Sequence, residues 1–419
     1  MRAPDALHIS GRMAVSGEQL STVSLSANDT VRSLCDSFVD ASGGKLRNGT
    51  VRLLFENRIL SELSTLASAG LCNGAVVSVM LDTRNTSLLV TASTDMCARL
   101  WDIGTGECTQ IFLGHYGQVY AACFAPHRKS VVTASEDRTA RIWDVESGHC
   151  SQTLQGHAGE VFSAVFSPCG TMIVTASDDE TAKIWCSLTG ECLVTLSDHT
   201  GGVSLATFSP SGDRVLTASE DGSAKLWSTE SGVCQHTLGG HSASVCRAEF
   251  APNNVGLVVT ASGTCVKLWD SHTGTCTGEL RGHGGPIKLT TFSSDGQLVA
   301  TVGDRAEAKI WRAADGACLW TLSGHEDTVY MAEFSPDGKK VVTASEDGSA
   351  RVWSTETGAC MLTLPRDETI TWATFSSNCQ LVATACWDGG VALWDASSGA
   401  CLMELEGHAA PVLYVEFSA

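Results

Sequence analysis

The sequence predicts a mainly β fold, an eight-bladed β-propeller behind a small α+β domain, and three observations carry that reading. Trp101, Trp143, Trp185, Trp227, Trp269, Trp311 and Trp353 stand 42 residues apart, and Trp394 follows after 41. Each period contains four short apolar runs split by turn residues. The array also begins part-way through a period and ends on an unfinished one.

The runs read as strands because they are short, rich in Val, Ile, Thr and Phe, and free of helical spacing. One unit stands for the rest: Gly324-His325, then 329–336 (VYMAEFSP), 341–345 (VVTAS), Asp347, 350–353 (ARVW) and Thr357-Gly358-x-Cys360. Its turns fall at 335–338, 346–348 and 357–358, where Gly and Asp supply a positive φ or a side-chain bond to the backbone. Four antiparallel strands make one blade. A period near 40 to 45 residues with Gly-His and Trp-Asp signals resembles the WD-repeat (WD40) family of β-propellers, and the resemblance covers residues 85–419.

Counting strands sets the number of blades. Residues 88–113 supply three (LLVTAS, ARLWD, CTQIFL), seven complete units follow from Gly114, and 412–418 (VLYVEFS) is an innermost strand without a blade. Three plus one completes an eighth blade and hides the edges of the ring. The alternative, a seven-bladed ring, leaves strands unpaired. The run 76–81 is a rival for the closing place, since Val77 lies 42 residues before Val119. The C-terminal run is favoured because it alone carries Gly407-His408 and a Phe417-Ser418 ending.

Residues 1–84 form the first expected domain. A strand at 7–15, a turn at Ser16-Gly17, a strand at 21–25, a helix from Asp29-Thr30 to about Ala41, and strands at 51–55 and 76–81 give the order β-β-α-β-β. Asn28 or Asp29 can cap the helix. With the stretch 51–60 (VRLLFENRIL), Leu66, Leu71 and Gly74, this order resembles the ubiquitin-like β-grasp family. That resemblance makes Leu54 the strand position through which such domains dock partners; packing in the domain's own core is the plainer role for it.

The net charge of −19 is unevenly placed. Residues 1–84 carry 8 basic and 8 acidic side chains, so the remainder holds 19 against 38. Such a field repels phosphate backbones and attracts basic partners, which disfavours nucleic acid. No run of about 18 apolar residues is present, and Asp5 and Arg12 interrupt the N-terminus, so neither a membrane span nor a secretory leader is expected. The cytoplasm, with the nucleus as an alternative, is the expected location.

Within each unit, His, a hydroxyl of the second strand, the turn Asp and the Trp resemble the structural tetrad of WD repeats. The sets assigned from sequence are His115, Ser135, Asp137, Trp143; His157, Ser177, Asp179, Trp185; His199, Ser219, Asp221, Trp227; and His325, Ser345, Asp347, Trp353. A Ser/His/Asp group also invites a hydrolase reading. Multiplicity argues against it, because a nucleophile is needed once and these sets recur around a ring. No phosphate-cradling Gly-rich loop or nucleophile elbow accompanies them, so no catalytic residue is assigned and the chain is read as no enzyme. Three units depart from the pattern: Arg366 replaces the His of the seventh, Arg305 the Asp of the fifth, and the turn 262–264 of the fourth has lost its Asp. Those blades are expected to be less rigid or reshaped for a partner.

Eighteen cysteines suggest a disulfide or metal framework until they are placed on the repeat. Cys108, Cys150, Cys192, Cys234, Cys276, Cys318, Cys360 and Cys401 share one position, two residues after a turn Gly, in successive blades too far apart to bridge. No Cys-x-x-Cys pair or His/Cys ligand cluster is legible, so no metal and no cofactor is expected.

In WD-repeat proteins that grip peptides, the resemblance implies a binding face at residues flanking the first Val of the innermost strand and just before the turn Asp. Here that face comprises Tyr120, Glu136, Phe162, Asp178, Glu220, Lys288, Tyr330, Glu346, Trp372 and Trp387. Carboxylates before a turn are ordinarily solvated surface, but aromatics beside them supply hot-spot energy. The expected function is a scaffold or adaptor, monomeric or a subunit of a hetero-complex, whose propeller face holds a basic protein segment while the N-terminal domain docks a second protein. Alternatives are a substrate receptor for the ubiquitin ligase or proteasome machinery and a factor resembling the WD-repeat proteins of dynein assembly.

Overall fold

The computed structural model describes residues 88–253 and 256–418, and towards the N-terminus 7–13, 19–25, 34, 50–55, 58–59 and 76–82. The chain divides into two units, Met1–Ser87 and Leu88–Ala419.

In the first unit, strands β1 (Leu7–Met13), β2 (Gln19–Leu25), β3 (Thr50–Phe55), β4 (Arg58–Ile59) and β5 (Val76–Asp82) form one sheet in the order β2-β1-β5-β3-β4. β1 and β5 run parallel at its centre, and the other pairs are antiparallel. The expected helix and its cap lie outside the described residues except for Leu34, which is fully buried. β5 pairs with β1 and β3, so it takes no place in the propeller.

The second unit is eight four-stranded antiparallel sheets, seven of them ordered as the chain runs from the innermost to the outermost strand and the eighth completed by the C-terminal strand. Blades 1 to 7 begin at Val119, Val161, Val203, Val245, Ile287, Val329 and Ile370. Blade 8 joins β6 (Leu88–Ser93), β7 (Ala98–Asp102) and β8 (Cys108–Phe112) to the C-terminal strand Val412–Phe417. That strand pairs antiparallel with β6, from Val412 opposite Ser93 to Phe417 opposite Leu89, with a bulge after Val412. The innermost strands of the other blades bulge near the same point, as between Val161 and Ser163, so the closing strand reproduces their geometry. Leu88 and Ser418 lock its end: the Ser418 amide donates to the Leu88 carbonyl at 2.8 Å and the Leu88 amide to Ser418 Oγ at 2.9 Å.

Each second strand is packed on both faces, which explains runs such as MIVTAS in which all but the first residue are buried. The core lies between blades. Val174, Ala176, Ile184 and Leu196 of blade 2 pack on Val203, Phe208, Val215 and Trp227 of blade 3. The same arrangement crosses the seam, where Leu89 and Trp101 meet Leu393 and Leu405 on one side, and Val90, Leu100 and Phe112 meet Val119 and Trp143 on the other. Burial of a large aliphatic or aromatic side chain contributes about 1.5–3 kcal/mol. The ring is therefore held by repeated interblade contacts of similar size, with no weaker joint at the seam.

The recurring cysteines open the outermost strands. Each stands across a bulge from the tryptophan of its blade, as Cys150 does from Trp143 and Cys360 from Trp353. All the described cysteines are unbridged.

Candidate functional site

The tetrads are built by strand register. In blade 1, His115 Nδ1 lies 2.7 Å from Asp137 Oδ2, His115 Nε2 lies 2.7 Å from Thr133 Oγ1, and the Trp143 indole N–H donates to Thr133 Oγ1 at 2.9 Å. The hydroxyl is therefore Thr133, which corrects the assignment of Ser135. Ser135 Oγ instead accepts from the Asp137 amide and donates to the Gly117 carbonyl. The reason is distance along the strand: Val131 faces Trp143 directly and Thr133 is its diagonal neighbour, whereas Ser135 sits beyond, at the hairpin end.

The same correction holds in the other sets. Thr175 replaces Ser177 between His157 and Trp185, Thr217 replaces Ser219 between His199 and Trp227, and Thr343 replaces Ser345 between His325 and Trp353. Asp179, Asp221 and Asp347 lie 2.9, 2.7 and 2.8 Å from their histidines. Burial raises these carboxyls, but hydrogen bonds from the turn hydroxyl, the backbone and the histidine outweigh it and hold them well below the usual range. Burial in turn lowers His157, His199 and His325 despite the facing carboxylates. A neutral histidine that gives Nδ1–H to Asp accepts the Thr hydroxyl at Nε2, so the His, Thr, Asp and Trp groups of these sets satisfy one another.

A fifth complete set escaped sequence reasoning because its parts lie at opposite ends of the propeller. His408 Nε2 is 2.7 Å from Thr91 Oγ1, His408 Nδ1 is 2.8 Å from Asp95 Oδ2, and Trp101 donates to Thr91 at 3.0 Å. In this set a cysteine takes the turn position that Thr139, Thr181, Ser223 and Ser349 hold elsewhere. Cys97 Sγ lies 2.9 Å from Asp95 Oδ1 and 3.8 Å from His408 Nδ1. The three potential ligand atoms all lie within 4.8 Å of one another, so a His/Cys cluster does form, contrary to the reading from sequence.

Blades 4 and 5 keep the His, Thr and Trp of the tetrad but lack its carboxylate. His241 and His283 still reach Thr260 and Thr301 through Nε2, while Nδ1 is buried without a partner in each. Burial, helped by Lys267 and Lys309, pushes both imidazoles down to about 4. In blade 7, Arg366 ion-pairs with Glu404 at 2.7 Å.

The expected binding face surrounds the mouth of the central channel. Tyr120, Phe162, Glu220, Lys288 and Trp372 line one cavity of about 790 Å³. The Tyr120 hydroxyl donates to Glu160 at 2.8 Å, and its ring lies 5.8 Å from that of Phe162. Lys288 is bound to Asp304 at 2.9 Å and stands 4.8 Å over the Tyr330 ring, whose hydroxyl donates to Glu346 at 3.0 Å. Glu136 accepts from the Gln118 amide at 3.0 Å. Asp178, Glu220, Glu346 and Trp387 are exposed, Trp387 at 56%. The ring of Trp372 lies 4.8 Å from that of Tyr414, tilted by 46°. Glu136, Asp178, Tyr330, Glu346 and Trp387 are not among the cavity's lining residues. The side chain of Leu54 lies outside the described residues.

Deeper in the channel are groups that the sequence reading missed. Glu249 and Glu333 line it, and Glu416 holds the same inner-strand position, where Cys123, Val165, Thr207, Thr291 and Thr374 stand in the other blades. Thr374 donates to Glu333 at 2.7 Å and Tyr414 to Glu416 at 2.9 Å. Burial pushes Glu249 up to about 8 and both Glu333 and Glu416 up to about 7.

Seven segments, residues 106–144, 148–186, 190–228, 232–270, 274–312, 316–354 and 358–395, match the family described as WD domain, G-beta repeat. The chain belongs to that WD40 family, whose propellers are typical protein-interaction scaffolds and generally non-catalytic. Among solved structures it is similar to the computationally designed Ika8 protein (crystal packing No.1 in P63), at 27% identity and a TM-score of 0.65, over 72% of this chain and 91% of that one. No curated protein matches the sequence.

Proposed function

We propose that the chain is a non-catalytic scaffold whose channel mouth grips a Lys- or Arg-containing protein segment. The observation that carries this reading is the cavity in which Tyr120, Phe162, Glu220 and Trp372 converge, with further carboxylates nearby. Aromatic walls supply contact area at low entropic cost, and carboxylates select for cations. The charge of the chain, −19 overall, steers a basic partner and discourages nucleic acid. A non-catalytic role is supported by the repetition of the His-Asp-Thr-Trp set in five blades, each with its polar groups spent on one another.

The N-terminal unit serves as a second docking module in this reading, of ubiquitin-like type, with Leu54 as its contact. Its mixed sheet with β1 and β5 parallel at the centre supports that assignment. A cytoplasmic location fits the unbridged thiols.

Binding of a fluorescent Lys/Arg-rich peptide library to the purified chain tests the proposal. Micromolar or tighter binding that weakens at least tenfold in the triple variant Glu136→Lys, Glu220→Lys, Glu346→Lys supports it. Undiminished binding in a folded triple variant overturns the face assignment.

A further inference from the structure

Four of the five complete tetrads place a hydroxyl two residues after the turn Asp. Thr139, Thr181, Ser223 and Ser349 donate to their Asp Oδ1 at 2.6, 2.6, 2.7 and 2.6 Å. Among the complete sets only the seam blade has a thiol there; Cys265 holds the same register in blade 4, which lacks the Asp. The seam is also the one place where the Asp and the His come from opposite ends of the array. Cys97 is 3% exposed and the side chains of Asp95 and His408 are 11% and 0% exposed, so the three donors meet in a nearly dry pocket.

We propose that Asp95, Cys97 and His408 form a zinc site that staples the ends of the propeller together. The donor set, one carboxylate oxygen, one thiolate and one imidazole nitrogen, suits a borderline-soft ion, whereas the hydroxyl sets of the other blades do not. Bond lengths of about 2.0–2.3 Å in tetrahedral geometry require donor separations of about 3.3–3.5 Å. At present Asp95 Oδ2 faces His408 Nδ1 at 2.8 Å, Asp95 Oδ1 faces Cys97 Sγ at 2.9 Å, and Sγ and Nδ1 are 3.8 Å apart. One donor atom from each residue lies within 4.8 Å of the others, so a turn of the carboxylate and small side-chain shifts bring the set to those separations. Water completes the fourth position. The turn reaches solvent at Met96, which is 48% exposed and gives an ion a way in.

Proton bookkeeping closes. The Cys97 thiol releases its proton to solvent as the thiolate binds. His408 moves its single proton from Nδ1 to Nε2, which then donates to Thr91 Oγ1. The Thr91 hydroxyl is free to turn to the Arg99 carbonyl, 3.4 Å away, while still accepting from Trp101. The tetrad thus supplies the outer hydrogen bond that fixes the tautomer of a metal-bound histidine. Because Asp95 and Cys97 lie on one side of the closing pair and His408 on the other, occupancy stabilises the closed ring by mass action.

The test uses the full-length, reduced, metal-free chain. Titration with Co²⁺ is expected to raise a thiolate-to-cobalt charge-transfer band with visible d–d bands saturating at one equivalent, and one equivalent of Zn²⁺ to raise Tm by several degrees. Cys97→Thr, which restores the hydroxyl used in other blades and keeps the fold, should lose both effects; Cys169→Ser, at an exposed thiol, should keep both. Absence of the charge-transfer band in the wild-type chain, or band and Tm shift that persist in Cys97→Thr, overturns the proposal.

Discussion

His408 Nδ1 lies 2.8 Å from Asp95 Oδ2, joining residues 313 positions apart through the same contact that His115 and Asp137 make across 22. The pair stands beside the strand Val412–Phe417, so the hydrogen bonding that orders the interior of a blade also fastens the two ends of the array. A ring closed in this way unfolds as one unit, because opening the seam exposes two interblade cores at once.

Thr91 is the shared partner of His408 and Trp101, so Thr91→Val strands two buried groups at the seam. A loss of about 1–3 kcal/mol is expected in urea unfolding at neutral pH. If it matches the wild-type chain within about 0.5 kcal/mol, the seam tetrad contributes nothing.

The threonine and serine of one blade separate the two assignments of the tetrad. Thr175→Val should cost about 1–3 kcal/mol, since His157 and Trp185 both depend on that hydroxyl. Ser177→Ala, which removes only a bond to the Asp179 amide, should cost about 0.5–1.5 kcal/mol. Thermal unfolding of both variants checks the order, and the reverse order returns the serine to the centre of the tetrad.

Much of this architecture was legible in the sequence, because period, strand content and turn chemistry agree in every unit and the unfinished ends dictate an eighth blade. The tetrad hydroxyl was not. Thr175 and Ser177 alternate onto the same strand face, and only the register opposite Trp185 decides between them. The seam cluster was equally hidden, since Asp95-x-Cys97 has no partner within 300 residues of sequence and gains one only when His408 returns. Glu249, Glu333 and Glu416 were passed over because the same strand position holds Thr, Val or Cys in other units, so the repeat itself did not mark it.

The channel carboxyls give stability a pH dependence of defined sign. Glu249, Glu333 and Glu416 start from an ordinary value of 4.5 and are raised to about 8, 7 and 7 in the fold. Between those limits the folded chain holds more protons than the unfolded one, so stability falls as pH rises from about 4.5 to 8. Replacing all three by Gln, which keeps the neutral shape, should raise Tm above the wild-type value at pH 8 and leave little difference at pH ~4.5. Equal pH slopes for the two proteins would contradict the assignment.

Backbone strain offers a stabilising test. Arg138 and Glu180 hold φ of 69° and 67° at the turn position where Gly222 and Gly348 stand in other blades. Arg138→Gly and Glu180→Gly relieve a left-handed penalty of about 1–2 kcal/mol, partly offset by the greater freedom of Gly when unfolded. Each should raise stability by up to about 1 kcal/mol in denaturant titration, whereas the same change at Lys183, in mid-strand, should lower it.

Amide hydrogen exchange on the intact chain measures ring closure most directly. The account predicts that Val412–Phe417 and Leu88–Ser93 exchange together, and as slowly as an inner strand such as Val203–Phe208. Rapid exchange along Val412–Phe417 while the other inner strands stay protected would contradict it.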